Sequence, residues 1–227
     1  MPFSDLADRV AEVRGRVAEA AARGGHGQQV TIVAVTKTHG PESVAAAYGV
    51  GLHDVGENRV QEALSKMTDV TVPVRWHLIG HLQRNKAKAV DRFSFVHAMD
   101  SGRLADAVSR VGEERGDPVQ GLMQVNVSGE EAKGGLSPDE AGREGERWLG
   151  LRGLRVVGVM TMAPLDADER TLRTTFAGAR QVRDRLVALG HPALELSMGM
   201  SNDYEIAVEE GATMVRLGSI LFGARHA

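Results

Sequence analysis

The stretch VTIVAVT, residues Val30–Thr36, decides how the rest of this chain is interpreted. It is an unbroken run of aliphatic and threonine residues, which is typical of a strand buried on both faces of a parallel sheet. Lys37 follows it directly. The stretch therefore predicts a buried β-strand that ends in an amine.

Strands and helices alternate along the rest of the chain. Apolar residues at helical spacing over residues 4–23 predict a first helix, and Gly24–Gly25 is its stop signal. Most strand candidates are short, rich in valine, isoleucine, leucine and methionine, and closed by a polar or glycine turn. The strand candidates are residues 30–37, 52–56, 75–80, 94–99, 119–127, 154–162, 192–198 and 213–218.

This alternation predicts an α/β fold. Eight strands with intervening helices in a chain of 227 residues favour a (β/α)8 TIM-type barrel with an extra N-terminal helix. An open doubly wound sheet is the alternative. Because no linker, sequence repeat or low-complexity tract divides the chain, residues 1–227 are expected to form a single domain.

Several helices carry their own start signals. Pro41 stands where a first helical residue is favoured. Asn58 with Gln61 resembles a capping box, and Ser137–Glu140 is a fuller one with a proline at the first helical position. Ser201–Asp203 is expected to open a helix that runs to Gly211.

Composition excludes several classes of function. A net charge of −3 and a pI near 6.2 do not favour nucleic acid or anionic membranes. With no cysteine there is no disulfide, thiolate zinc site or thiol nucleophile, and no pair among the eight histidines shows a metal-ligand spacing on a predicted helix. No signal peptide or membrane span is visible, so a cytoplasmic protein is expected.

Lys37 is the first candidate for chemistry. In a parallel barrel the C-terminal ends of the strands face the functional mouth. A lysine there loses hydration, which favours the neutral amine that attacks carbonyl groups. The alternative is a lysine that only pairs with Glu57 or another carboxylate.

Two turns near the end of the chain are candidate anion sites. Gly199–Asp203 is a glycine turn between a strand and a helix, which presents backbone N–H groups to an anion. The alternative is that Ser201 only caps its helix. Strands 7 and 8 are also where barrels of this class commonly bind a phosphate.

The second turn is Arg216–Ser219 on the last strand. An inward Arg216 keeps its charge and needs an anion, a carboxylate or a ring acceptor. Gly218 allows close approach of a ligand, and Ser219 adds a hydroxyl and an N–H. The alternative is that Arg216 forms a structural pair with Glu195 or Glu209. An amine together with a phosphate site indicates a phosphorylated aldehyde held as an imine.

Other polar residues carry weaker predictions. Asn58 follows strand 2 and is either a ligand contact or a helix cap, and His77 is interpreted as a structural histidine. Glu62 is expected to face solvent. The segment 128–138 is rich in glycine and charge, and is predicted to be a mobile loop.

Assembled, these residues resemble the pyridoxal phosphate homeostasis proteins almost from end to end. Each motif is weak alone, but the set is highly specific. The matching motifs are Ala34–Thr38, Gly56–Asn58, Trp76–Gly80 with Leu82–Gln83 and Asn85–Lys86, Leu196–Ser201, and Val215–Ser219 with Phe222–Gly223.

The resemblance implies a role for each site residue. Lys37 would bind pyridoxal 5′-phosphate (PLP) as a Schiff base, and Arg216 matches the arginine that faces the pyridine nitrogen in the similar barrel of alanine racemases. Ser201, Gly218 and Ser219, with the backbone around Met200, would hold the phosphate. The cofactor-binding residues expected are Lys37, Asn58, Ser197, Met200, Ser201, Arg216, Gly218 and Ser219.

The resemblance also implies a carrier rather than an enzyme. Alanine racemases add a second domain with a catalytic tyrosine, whereas neither Tyr48 nor Tyr204 matches a second acid/base, so no catalytic residue is expected. The protein is expected to be a monomer. It would take part in vitamin B6 homeostasis and pass PLP to PLP-dependent apoenzymes. A racemase- or decarboxylase-like PLP enzyme and a cofactor-free Schiff-base aldolase are the alternatives.

Overall fold

Eight parallel strands close into a barrel in the computed structural model, which describes residues 3–130 and 133–223. Each strand pairs with the next, and the last pairs with the first through Val33 and Arg216. This closing pair confirms the barrel and excludes the open sheet. The strands are β1 (Thr31–Val35), β2 (Asp54–Glu57), β3 (Arg75–Leu78), β4 (Phe95–Met99), β5 (Val119–Gln124), β6 (Leu154–Met160), β7 (Glu195–Ser197) and β8 (Met214–Leu217).

A helix follows every strand, and one more precedes the barrel, as predicted. A 3-10 helix, Arg84–Arg92, connects β3 to β4. Within residues 3–130 and 133–223, no helix is long and apolar enough to cross a membrane. The α-helices are α1 (Leu6–Gly24), α2 (Pro41–Gly49), α3 (Val60–Asp69), α4 (Gly102–Arg115), α5 (Pro138–Trp148), α6 (Glu169–Leu189), α7 (Tyr204–Glu209) and α8 (Ser219–Phe222).

The predicted start signals are confirmed at two helices and wrong at one. Pro41 is the first residue of α2, and Ser137 and Glu140 form the predicted capping box at α5. The capping box at Asn58 is wrong. The residue before α3 is Arg59, which makes no side-chain cap hydrogen bond.

The main hydrophobic core lies between the barrel and its helices. On α1, Leu6, Val10, Val13 and Val17 are buried on one face, which packs against α7 and α8. Burial of each such side chain contributes roughly 1.5–3 kcal/mol. The extra helix is thus part of the core that fixes the last two strand–helix units.

Part of the barrel interior is polar, unlike the aliphatic layers that usually fill such barrels. His97 Nδ1 on β4 lies 2.8 Å from Ser197 Oγ on β7. Because β4 and β7 are not neighbouring strands, this contact crosses the interior. Both side chains are fully buried.

A buried ion pair fixes α3 to the ends of β1 and β2. The Lys66 ammonium lies 2.7 Å from Glu57 Oε1 and 2.7 Å from the backbone oxygen of Thr36. Its side chain is 6% exposed and that of Glu57 is 0% exposed. Lys66 therefore neutralises a buried carboxylate and holds the residue just before Lys37.

Replacing Lys66 tests this pair. Lys66→Met would leave Glu57 buried without its cation, so we expect the free energy of unfolding to fall by about 3–5 kcal/mol. Urea denaturation measures the change. The matched control is Lys88→Met on the exposed face of the 3-10 helix, expected to stay within about 0.5 kcal/mol of the wild type. Equal stability of the two variants would contradict the assignment.

Candidate functional site

Lys37 lies at the C-terminal end of the barrel, just beyond β1, and is partly buried. The next residue, Thr38, has a φ of +71°. This left-handed conformation is strained for a β-branched residue, and such strain is typical of functional sites. The turn is held by Glu62, whose Oε1 accepts from the Thr38 N–H at 2.6 Å.

Glu62 does not face solvent, so that prediction is wrong. Its carboxylate accepts from the Lys66 ammonium at 3.0 Å as well as from Thr38. Burial alone would raise the pKa of Glu62, but these two donors outweigh it and lower the pKa. The spacing of Glu62 and Lys66, four residues apart on a helix, was the signal that could have revealed the pair.

Glu57, the suggested partner of Lys37, is occupied by other groups. Its Oε1 accepts from the Thr36 hydroxyl at 2.5 Å and from Lys66 at 2.7 Å. Burial raises the pKa of Glu57, although both contacts oppose the rise. The pair beneath the Lys37 turn is therefore Glu57 with Lys66.

The turns after β7 and β8 meet at this same end of the barrel. The Ser201 hydroxyl accepts from the Ile220 N–H at the start of α8, at 3.4 Å. Ser201 is therefore not the cap of α7, which begins at Tyr204 after Asp203. As expected, α7 begins directly after Ser201–Asp203, and it ends at Glu209, just before the expected Gly211.

The Lys37 turn packs against the turn after β8. A Cβ at Gly218 would lie 3.5 Å from the Cβ of Val35, the last residue of β1. Past Lys37, the His39 ring lies 5.4 Å from the Phe222 ring. Ser219, which lies between Gly218 and Phe222 in the sequence, is exposed. The amine and both predicted anion sites therefore share one end of the barrel.

Gly199 is required by the turn after β7. Its φ is +92°, and a Cβ there would lie 2.7 Å from the Ala207 Cβ. In the same turn the Met200 N–H donates to Asp203 Oδ1 at 2.6 Å. Burial raises the pKa of Asp203, opposed by this N–H and by the charge of Arg216. The Met200 N–H thus already has a partner inside the turn.

Arg216 points into the barrel and is 5% exposed. Its guanidinium donates to Ser197 O at 2.7 Å, to Ser197 Oγ at 2.6 Å and to Thr161 O at 3.0 Å. Burial lowers the pKa of Arg216 to about 10, with Asp203 opposing the change. The cation is therefore held largely by neutral oxygens.

The suggested structural pairs of Arg216 are wrong. Glu195 accepts from the Thr213 hydroxyl at 2.6 Å, and Glu209 accepts from Arg23 and Arg173. Within residues 3–130 and 133–223, no carboxylate forms a hydrogen bond or ion pair with Arg216. A buried cation of this kind is suited to an acceptor on a ligand.

Ser197 and Asn58 lie in different surroundings. Ser197 is fully buried beneath Arg216, and its hydroxyl contacts both Arg216 and His97. Asn58 is exposed at the end of β2, where a cavity of about 230 Å³ is also lined by His81 and Gln83. Ser197 therefore supports the site from below, and Asn58 lies at its β2–β3 side.

A second cavity, of about 480 Å³, lies beside Ser201 and Asp203. Its lining is mainly apolar, with Met162 and Leu172, but it also includes Lys133 from the loop predicted over residues 128–138. Residues 131 and 132 of that loop lie outside the described residues. Where it is described, the loop thus contributes a second amine to this edge of the mouth.

Other residues singled out in the sequence have structural partners. His77 is buried and contacts Asp54 and His97, as expected of a structural histidine. Tyr48 stacks on His53, ahead of β2 and so at the opposite end of the barrel. No group of three or more metal-binding side chains is found among the residues that the structure describes.

Comparison with known proteins adds an independent line of evidence. A family model for the alanine racemase N-terminal domain matches residues 10–226. The pyridoxal phosphate homeostasis protein of Aquifex aeolicus is 38% identical to this chain over 226 residues, covering 96% of this chain and 97% of the relative.

Solved structures agree with this assignment. PipY of Synechococcus elongatus, solved with PLP bound, matches with a TM-score of 0.85 at 34% identity, over 96% of this chain and 100% of its own. Alanine racemase from Corynebacterium glutamicum matches with a TM-score of 0.72 over 97% of this chain and 63% of its own, but at 17% identity it shows the fold alone. The chain therefore belongs to the pyridoxal phosphate homeostasis protein family, whose barrel is the N-terminal domain of alanine racemases.

Proposed function

We propose that this protein binds PLP at the C-terminal end of its barrel and holds it as a Schiff base on Lys37. The amine of Lys37 would condense with the aldehyde of PLP and release water. The observation that carries the proposal is the buried Arg216 cation, which lies on the strand beside that of Lys37 and has no carboxylate partner among the described residues. The PLP-bound relative supports the choice of ligand.

The two turns beside Lys37 fit a phosphate. The Ser201 hydroxyl, the Ser219 hydroxyl and the N–H groups at the start of α8 would donate to it. Charge-assisted hydrogen bonds contribute roughly 1.5–3 kcal/mol each. Four of them at the upper end of this range, about 12 kcal/mol, would leave about 8 kcal/mol, or micromolar affinity, after an association cost of about 4 kcal/mol. With α7 and α8 this short, the individual donors matter more than the helix dipoles.

Arg216 would face the ring nitrogen of PLP. Because a guanidinium only donates hydrogen bonds, it would keep that nitrogen unprotonated and weaken the ring as an electron sink. Ser197 and Thr161 hold the guanidinium from behind. Met200 and Asn58 would border the ligand, while Ser197 would act only through Arg216.

A carrier role fits these residues better than racemisation. Racemisation needs a proton donor and a proton acceptor on opposite faces of the substrate. Tyr48 lies at the other end of the barrel. Burial and the charge of Glu205 raise the pKa of Tyr204, although Arg16 on α1 opposes the rise. The protein would hold PLP as a monomer in the cytoplasm and pass it to PLP-dependent apoenzymes, without significant catalysis.

Absorbance and peptide mapping test the attachment. The wild type with PLP is expected to show a visible Schiff-base band, and borohydride reduction should fix the label on the Lys37 peptide. Lys37→Ala is expected to abolish the band without unfolding the protein, since the side chain lies at the mouth. Lys86→Ala and Lys133→Ala are the matched controls and should keep it. A band that survives Lys37→Ala would place the attachment elsewhere.

Arg216→Gln tests the ring contact. Loss of one charge-assisted hydrogen bond predicts about tenfold to hundredfold weaker PLP binding in equilibrium dialysis. Arg143→Gln, on the exposed face of α5, is the control and should bind normally. Normal affinity in a correctly folded Arg216→Gln protein would mean that Arg216 has only a structural role.

The absence of significant catalysis is tested with amino-acid enantiomers. With saturating PLP, the wild type is expected to racemise L-alanine no faster than Lys37→Ala does, because neither Tyr48 nor Tyr204 is placed as a second acid/base. Chiral chromatography measures the product. Sustained turnover at about 1 per second or faster, a typical enzyme rate, would reject the carrier role.

A further inference from the structure

A continuous line of buried side chains leads from Arg216 to the opposite end of the barrel. Ser197 Oγ, which contacts Arg216, lies 2.8 Å from His97 Nδ1. His97 Nε2 lies 2.9 Å from His77 Nδ1, and His77 Nε2 lies 2.8 Å from Asp54 Oδ1. All five residues are at most 5% exposed. We call this line the histidine relay.

Both ends of the histidine relay have a fixed hydrogen-bonding role. At one end, the guanidinium of Arg216 can only donate, so Ser197 Oγ must accept from it. At the other, Asp54 also accepts from Arg75 at 2.6 Å. Burial alone would raise the pKa of Asp54, but His77 and Arg75 outweigh it and lower the pKa. Asp54 is therefore ionised and can only accept.

These two ends leave one arrangement for neutral imidazoles. The Ser197 hydroxyl donates to His97 Nδ1, His97 Nε2–H donates to His77 Nδ1, and His77 Nε2–H donates to Asp54. Both histidines are then Nε2–H tautomers. A histidine with its proton on Nδ1 would put two donors, or two acceptors, face to face in one of the contacts.

We propose that His97, supported by His77 and Asp54, is a positioning residue for Arg216. His97 Nδ1 accepts a hydrogen bond from the Ser197 hydroxyl, and this turns the lone pairs of the serine oxygen toward the guanidinium. The guanidinium is thereby aligned with the ring nitrogen of the bound cofactor. This inference rests on the proposed function, since Arg216 acts on PLP there.

The surroundings keep the histidine relay neutral. Burial lowers the pKa of His97 well below its usual value, and His77 and Arg216 lower it further. Burial also lowers the pKa of His77, although Asp54 opposes it. A proton taken up at His97 Nδ1 would reverse its hydrogen bond with Ser197 and place a cation near Arg216. The charged groups facing the relay are Asp54, Arg75, Glu195, Arg216 and, toward Arg216, Asp203.

Nitrogen NMR of histidine-labelled, PLP-free protein tests the direction of the relay. At about pH 7, His77 and His97 are expected to show a protonated Nε2 and an unprotonated Nδ1. The nitrogen signals of the exposed His26 serve as the control. An Nδ1–H tautomer at either buried histidine, or a doubly protonated ring at about pH 7, would overturn the inference.

The coupling to Arg216 is tested by two variants of His97. His97→Leu removes the group that accepts the hydrogen bond from the Ser197 hydroxyl. We expect about tenfold weaker PLP binding, because one hydrogen bond is disturbed. His97→Asn keeps an oxygen near the Nδ1 position and should recover most of that loss. Inorganic phosphate, which would bind at the Ser201 and Ser219 turns, should bind equally to both variants and to the wild type.

The outcomes separate this inference from the proposed function. Equal PLP affinity of the two variants, whether normal or weakened, would overturn the positioning role. If neither variant folds, addition of PLP to the wild type is the deciding measurement. The His97 nitrogen signals should then shift while those of His26 do not. An unchanged His97 signal would overturn the positioning role. A wild type that does not bind PLP would remove the proposed function, whereas the tautomers of the PLP-free protein would still decide the relay direction.

Discussion

The structure depends on one buried cation, the guanidinium of Arg216. A guanidinium keeps its proton even when burial lowers its pKa, so the barrel must surround it with acceptors. Two backbone oxygens and one serine hydroxyl meet this demand on the protein side. The serine in turn needs an acceptor for its own proton, which brings His97 and His77 into the barrel interior. One buried charge thus explains why part of this barrel is polar where related architectures are aliphatic.

A second buried cation, Lys66, sets the other side of the site. It neutralises Glu57, holds the backbone of Thr36 and orients Glu62, which fixes the strained turn at Thr38. In the sequence Lys37 lies between Thr36 and Thr38, whose backbones are both held by these contacts. The Lys37 side chain therefore extends from a backbone that is fixed from below, which would preorganise its amine for the proposed attack on a carbonyl.

The sequence predicted the frame of the site well and its internal partners poorly. Lys37 and the turns at Ser201 and Ser219 follow strand ends, and the ends of parallel strands must meet, so strand order alone brought them together. The partners of Arg216 were wrong because the register decides which side chains face inward together. Glu62 was misjudged because its role depends on a turn that closes only when α3 packs against β1.

By itself, the sequence determined the number and order of the strands, the first helix, the amine and the glycine turn at Gly199. These features follow from short-range patterns: apolar runs, turn residues and a backbone conformation that only glycine adopts easily. Only the tertiary structure decided which side chains form the histidine relay and which oxygens accept hydrogen bonds from Arg216. Their contacts join residues 55 and 100 positions apart, Thr161 with Arg216 and His97 with Ser197, and exist only once the barrel has closed.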